Sequence, residues 1–388
     1  MDGDHAENLA LAGCNRGKGD WMLTRANLLP ETSWNQALAA YARPILRRSL
    51  FQLLNSAIPF FLLWLLMLGS LEYPYWMTLL LAVPAAGLLI RLFIIQHDCG
   101  HGSFFQSRAA NDMLGFLLGV LTLTPYGYWR RTHAIHHATS GNLDQRDIGD
   151  VSTLTVKEYL GLSLWKRLRY RLYRNPLILF GIGPVYLFVI RHRFPPNLPR
   201  TWRRGLASVF MTNLVILAVI AGMCRAVGFQ AFLMVQLPIT AIAATAGVWL
   251  FYIQHQFEDT YWEQSGTWNF YAAGLRGSSF YDLPRILHWF TGNIGVHHVH
   301  HVCSRIPNYR LLECLRENPE LQQVTRITLW RSLKCIRLKL WDEYHQRMVG
   351  FRHLRRLENP SVPVGVSIEG PRPLTSDGPP SFVRRISS

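Results

Sequence analysis

The chain is poor in paired cysteine and in acid. Its six cysteines are scattered over 388 residues with no CxxC pair, which leaves no tetracysteine zinc site, no iron–sulfur spacing and no disulfide framework. No GxGxxG fingerprint is present, so a built-in dinucleotide domain is excluded, and no fused haem domain is evident. An HExxH motif is also missing, which removes the carboxylate base that a hydrolytic zinc site requires. The opening residues are polar and lack a compact signal-peptide pattern, so the first long apolar run is expected to stay in the protein. Asp and Glu number 24 against 40 Lys and Arg, giving a net charge of +16. Anionic partners are therefore expected, namely membrane lipids or an acidic protein, and no nucleic acid.

What is present is apolar sequence gathered into long runs. Residues 50–71 and 77–95 are separated only by "EYPYW", and residues 206–224 and 229–253 only by "RAVG". Each run meets the roughly 20 residues that a spanning helix needs, so the pairs read as two membrane hairpins. Arg91 sits near the end of the second run, where a long side chain snorkels to the interface. Two other runs, 113–125 and 176–190, are too short to span and read as interfacial or re-entrant segments. Basic residues fall before the first run, between 96 and 205 and after 252, whereas the connections inside the hairpins carry only Arg225. By the positive-inside rule both termini and the central segment are cytoplasmic.

The expected fold is an all-α integral membrane protein with four transmembrane helices in two hairpins. Residues 1–45 form a cytoplasmic N-terminal segment, and 46–358 a membrane domain whose helical cytoplasmic cap is built from 96–205 and 254–358. The tail 359–388, rich in Pro, Ser and Gly, is expected to be disordered. No internal repeat is evident beyond the two hairpins.

Fifteen histidines are present, and most are clustered. "HDCGH" carries His97 and His101, "HAIHH" carries His133, His136 and His137, and "HHVHH" carries His297, His298, His300 and His301; His255 stands alone at the end of the fourth run. On a helix, positions i, i+3 and i+4 lie within about a 100° arc, so each cluster presents one histidine face. His298 falls outside that arc. Under the charge-derived orientation all four groups meet on the cytoplasmic side. A lone histidine is more often an ordinary packing or surface residue, and His5, His192, His288, His345 and His353 are read that way. The clusters instead point to metal. Eight face-sharing histidines, or nine with His255, exceed what one ion accepts, so two metals are implied. Imidazole suits Zn, Cu, Fe and Ni alike, and the missing carboxylate base favours redox metals over hydrolytic zinc.

The three boxes in this order, with two membrane hairpins, resemble the HxxxH, HxxHH and HxxHH boxes of the integral membrane fatty acid desaturases. The flanks "HDCGHGSFF", "WRRTHAIHHATSGNLDQRD" and "HHVHHVCSRIPNYRL" resemble the bacterial omega-6, or Δ12, branch, and the likeness covers roughly residues 40–350. The resemblance implies a non-haem diiron oxidoreductase that uses O2 and two electrons to form a cis double bond in an acyl chain. It implies His97, His101, His133, His136, His137, His297, His300 and His301 as ligands, with His255 as an extra one. A register built on His298 competes with one built on His297; the HxxHH pattern favours His297 and leaves His298 beside the metals. Among polar neighbours expected to orient the rings, Asn293 stands first, one helical turn before His297, with Asp98, Asp147, Asp150, Glu258 and Asp259 also near ligands in sequence. Asp147 and Asp150 have an ordinary reading as loop or capping residues.

The substrate is expected to be a fatty acyl chain carried on lipid, CoA or acyl carrier protein. Electrons are expected from an external ferredoxin or cytochrome b5 on the basic face, and the location is expected to be the bacterial inner membrane. The aromatic runs "YGYW" and "WNFY" suit either a substrate tunnel or an interfacial belt. Two alternatives remain open here: a related diiron hydroxylase or ketolase with the same boxes, and a metal transporter, which would want more polar residues along the spans.

Overall fold

The computed structural model describes residues 31–146, 148–195 and 201–358. The expectations placed on the first 30 residues, on Asp147 and on the tail from 359 lie outside the described residues. The described chain opens with α1 (Glu31–Ala39) and continues into a hairpin of α2 (Leu46–Gly69) and α3 (Trp76–His101). Helices α4 (Arg108–Leu121), α5 (Tyr126–Thr139), α6 (Val156–Gly161), α7 (Leu164–Tyr173) and α8 (Leu177–Arg191) follow. A second hairpin, α9 (Arg203–Val227) and α10 (Phe229–His255), leads into the rest of the cap.

These four long helices are long and apolar enough to cross a bilayer. On α2 one face, Gln52, Ser56, Phe60, Trp64 and Met67, is buried, while Phe51, Leu54, Ile58, Phe61, Leu62 and Leu65 are exposed. Phe210, Leu214 and Leu217 do the same on α9. So much contiguous apolar surface is compatible only with lipid as solvent. The spans also outrun the apolar runs that mark them. No proline lies between residues 95 and 102, so α3 continues through Gly100 to His101 and stops at Gly102, whose φ of +66° supplies the left-handed cap. The first histidine box is thus the last turn of a spanning helix.

Helix α3 is the axis of the molecule. Its first half exposes Leu79, Leu80 and Val83, whereas every residue from Leu88 to Cys99 except Phe93 is buried. It packs on α2, α4 and α10, and so carries its histidines from the bilayer into the cap. Helix α4, at 14 residues, is too short to span. Helices α7 and α8 are together apolar enough for a span but meet at a bend of 52°. A full crossing there would put His255, two crossings later, on the far side from α5. His255 instead lies against His136, with ring centroids 4.8 Å apart, which does not fit a full crossing by the bent pair.

The cap after α10 contains α11 (Phe270–Arg276), α12 (Arg285–Phe290), α13 (His297–Val302), α14 (Asn308–Glu317), α15 (Leu329–Cys335) and α16 (Phe351–Glu358). The protein is mostly helical, as expected, but among the described residues five strands of two or three residues stitch the cap. Strand β1 (Leu154–Thr155) pairs in parallel with β4 (Leu340–Asp342), which pairs antiparallel with β5 (Arg347–Val349). Strands β2 (Phe280–Asp282) and β3 (Arg326–Thr328) pair in parallel. Strands this short carry no periodicity to read in sequence.

Arg174 is the knot of this region. Fully buried, it donates to the Ser152 carbonyl at 3.0 Å, to Gln256 Oε1 at 2.7 Å and to the Leu338 carbonyl at 3.1 Å. Three segments distant in sequence, including the residue after His255, thus share one guanidinium. Replacing Arg174 with Ala leaves the Ser152 carbonyl without its donor and takes one of two donors from Gln256 Oε1 and the Leu338 carbonyl, which keep Thr153 Oγ1 at 3.3 Å and the Tyr252 hydroxyl at 2.8 Å, at a cost of about 3 kcal/mol. The expected outcome is a fall in the thermal unfolding midpoint of the detergent-purified protein, only partly restored by Arg174→Lys.

Candidate metal centre

The short helix α5 places His133 and His137 one turn apart and sends His136 about 100° round the axis from His137. The same arithmetic on α13 pairs His297 with His301 and diverts His300. Helix α3 adds His97 and His101, and α10 ends on His255. The nine side chains sort into two groups. His97, His101, His133, His137 and His300 form one, and His136, His255, His297 and His301 the other, with donor atoms in each group all within 4.8 Å of one another. Each HxxHH helix therefore feeds both groups, its i, i+4 pair going to one and its i+3 residue to the other. Seven of the nine are buried, and His101 and His133 are half-buried.

The inner nitrogens are crowded. His297 Nε2 lies 3.0 Å from His255 Nε2 and 3.1 Å from His301 Nε2. In the other group His137 Nε2 lies 3.2 Å from His133 Nε2 and 3.0 Å from His300 Nε2. Outer contacts fix which nitrogen faces inward. His255 Nδ1 donates to the Gly277 carbonyl at 3.0 Å, so its Nε2 is a bare lone pair. His97 Nδ1 meets Asp98 Oδ1 at 3.2 Å and His136 Nδ1 meets Asp150 Oδ1 at 2.5 Å. The buried Nε2 atoms of His101 and His136 have no hydrogen-bond partner. Lone pairs held about 3 Å apart repel unless a cation lies between them, and imidazoles bound at about 2.0–2.1 Å to one ion stand at such separations. The donor set fits one metal ion per group.

Protonation agrees with this. Burial first, and neighbouring histidines second, hold His133, His137, His297, His300 and His301 well below the ordinary histidine value. They are neutral ligands at neutral pH.

The orienting groups differ from the one ranked first in sequence. The Asn293 side chain bonds the Asn308 carbonyl at 3.3 Å and, among the described residues, makes no hydrogen bond to an imidazole; with a φ of +57° it serves a turn. Asp98 does the orienting at His97, and is itself clamped by the Asn308 backbone N–H at 2.7 Å and side-chain amide at 2.8 Å. Asp150 reaches His136 because Gly149, at φ +78°, lets the loop lie against α5, where an added Cβ would stand 3.2 Å from His136 Cβ. Glu258 and Asp259 are exposed, Glu258 facing Arg347 at 3.6 Å. His298 belongs to neither group; it is buried beside Phe280, where burial pushes it down to about 4. The sequence reading missed Asn308 and Gly277, which no spacing rule marks. In "YGYW", Trp129 stacks on His133, with centroids 4.6 Å apart, and Tyr126 bonds the Cys99 carbonyl at 2.9 Å, so the run braces the site. In "WNFY", Trp268 bonds the Ser140 carbonyl at 3.0 Å.

Two outcomes follow from this geometry. Asp150→Asn should weaken metal retention by about 10–100-fold, measured by chelator competition on purified protein, while His298→Ala should keep both ions. The five depressed imidazoles lie below their unfolded values, so their contribution to stability is present above about pH 6.5 and is lost on acidification. Unfolding midpoint and metal content should therefore be flat from pH 8 to 7 and fall together towards pH 5.5.

Comparison with known proteins gives the same picture. Residues 73–331 match the family model described as fatty acid desaturase. A fatty acid desaturase of Bacillus subtilis (strain 168) is 48% identical over 334 residues, covering 86% of this chain and 93% of that one. An sn-1 acyl-lipid omega-3 desaturase (ferredoxin) of Synechocystis is 31% identical, over 57% of this chain and 61% of its own length. A Delta(12) fatty acid dehydrogenase of Crepis alpina is 28% identical, over 63% and 67% respectively. With a membrane framework, two histidine groups able to hold metal and these relatives, the chain belongs to the fatty acid desaturase family.

Proposed function

We propose that each histidine group holds one iron ion and that the protein is an O2-dependent desaturase forming a cis double bond in a fatty acyl chain, of the omega-6 or Δ12 type. The observation that carries this is the sorting of nine histidines into two inward-facing nitrogen sets. Zinc would fill the same donors but cannot change oxidation state, whereas a CH2–CH2 unit gives up two hydrogens only to an oxidant. Two irons so held supply the redox chemistry by which O2 and two electrons, with two protons, take those hydrogens and leave two waters. The Δ12 assignment is supported by the flanks of the boxes and by the Crepis alpina relative's name.

The protein's own contribution is holding and shielding. Asp98 and Asp150 fix the tautomers of His97 and His136, the Gly277 carbonyl does so for His255, and Trp129 keeps His133 in plane by stacking. Burial of the rings excludes water and bulk protons from the reacting space. Both histidine-bearing spans, α3 and α10, end at the site, and the basic segments gather on that side, which supports a cytoplasmic site in a bacterial inner membrane. The same charge suits docking of an acidic ferredoxin or cytochrome b5 as electron donor, and the Synechocystis relative's name includes ferredoxin.

The test is expression in a host that lacks diunsaturated lipids, with fatty acid methyl esters read by gas chromatography–mass spectrometry and metal counted in the purified protein. A new diunsaturated acid and two irons per chain are expected, both abolished by His136→Ala. An added oxygen in place of a double bond, or zinc at both groups, overturns the proposal.

A further inference from the structure

Apart from the histidines, a cleft of about 580 Å3 opens between α3, β2, α12, β3 and α14. Four arginines line it, Arg91, Arg285, Arg316 and Arg326, against a single acid, Asp282. Arg326 is paired with that acid, Nε to Oδ2 at 2.9 Å. Arg91 is fixed as a wall: its Nε bonds Ser56 Oγ at 3.0 Å, another of its nitrogens bonds the Trp289 carbonyl, and its guanidinium stacks 4.3 Å from the Trp289 ring centroid. Arg285 and Arg316 are exposed, and their guanidinium groups have no hydrogen-bond or ion-pair partner among the described residues. His288, another lining residue, accepts the Leu283 N–H on Nε2 at 3.2 Å, so its Nδ1 carries the proton; that nitrogen is buried and unpartnered. A wall with this excess of donors and two spare guanidinium forks suits a tetrahedral oxyanion.

The surroundings identify its source. Ile286, next to Arg285, is 66% exposed and Trp289 in the lining is also bared, while α15, which directly follows Arg326 on β3, exposes Trp330 (78%) and Leu333. Helix α12 lies on the spanning helix α3: a Cβ added at Gly87 would stand 2.6 Å from the Phe290 ring. Arg91 follows one turn later on α3. Gly87 lies at the middle of α3 and Arg91 in its half nearer the cap, and exposed aromatic and aliphatic side chains around arginines suit the boundary between hydrocarbon and headgroups. A water-borne phosphate compound gains nothing from such a rim. We infer that the cleft is a binding site for the phosphate of a membrane phospholipid headgroup, with Arg285 and Arg316 as its clamps. Asn308 lines the same cleft and holds Asp98, so the site shares a wall with the first histidine group.

The test is binding of dihexanoyl phosphatidylglycerol to the detergent-purified full chain by isothermal titration calorimetry, with inorganic phosphate as the competing probe. Saturable binding is expected, weakened by about tenfold or more in the double variant Arg285→Gln/Arg316→Gln, where two guanidinium–phosphate contacts are lost. Trp330→Ser, which keeps every arginine, should also weaken it. Unchanged affinity in the double variant overturns the inference, and so does displacement of the lipid by inorganic phosphate at equal concentration, which would assign the cleft to a soluble anion. The measurement needs neither iron nor turnover, so its failure is distinct from failure of the proposed reaction.

Discussion

Mutual repulsion among imidazole lone pairs governs this molecule. Nitrogens of His255, His297 and His301 stand 3.0–3.1 Å apart in a buried space, and without a cation that arrangement is unfavourable by electrostatics alone. The surrounding protein must therefore be stiff enough to bring the rings together before any ion arrives, or gain enough from the ion to repay the assembly. Both devices are visible. Continuous burial of α3 from Leu88 onward and the Arg174 knot supply stiffness. The neutral, inward-facing Nε2 atoms supply the affinity.

The bilayer enters the same balance. Spans α3 and α10 deliver His97, His101 and His255 from the membrane side, whereas α5 and α13 deliver the other six from the cap. The centre is thus a joint between two solvents. Its membrane-side ligands sit on long helices whose other ends are anchored in lipid, and its cap-side ligands sit on helices of 14 and 6 residues held by packing.

Much of this was legible in the sequence because the signals are periodic. Apolar runs of spanning length and histidines at i, i+3, i+4 are local patterns, and the spans and the clustering of histidines follow from them; the split of each HxxHH between two sets does not, because the expected 100° arc puts its three histidines on one face. The convergence of His255 is not a local pattern; it is expected only through a topology read from where the basic residues fall along the chain. The failures are long-range. Asn293 was favoured for lying a turn from His297, yet a left-handed turn at that residue points it to Asn308. Asp150 is among the acids expected to orient a ring, with an ordinary loop reading beside it; what no local pattern shows is the approach that Gly149 permits and that carries it to His136. Asn308 lies 210 positions from the carboxylate it clamps, and no window of sequence holds both. The two-residue β1 and its partner at 340 are beyond local reading for the same reason.

One further consequence comes from the HxxHH helices. Because α5 and α13 each contribute to both nitrogen sets, the spacing between the sets is carried by the pitch of a single turn of backbone in each, and not by the fit of one domain on another. The two short helices act as a ruler. A tilt of the spans shifts the span-borne His97, His101 and His255 against the cap, but the spacing between the two sets, fixed within α5 and within α13, does not depend on it.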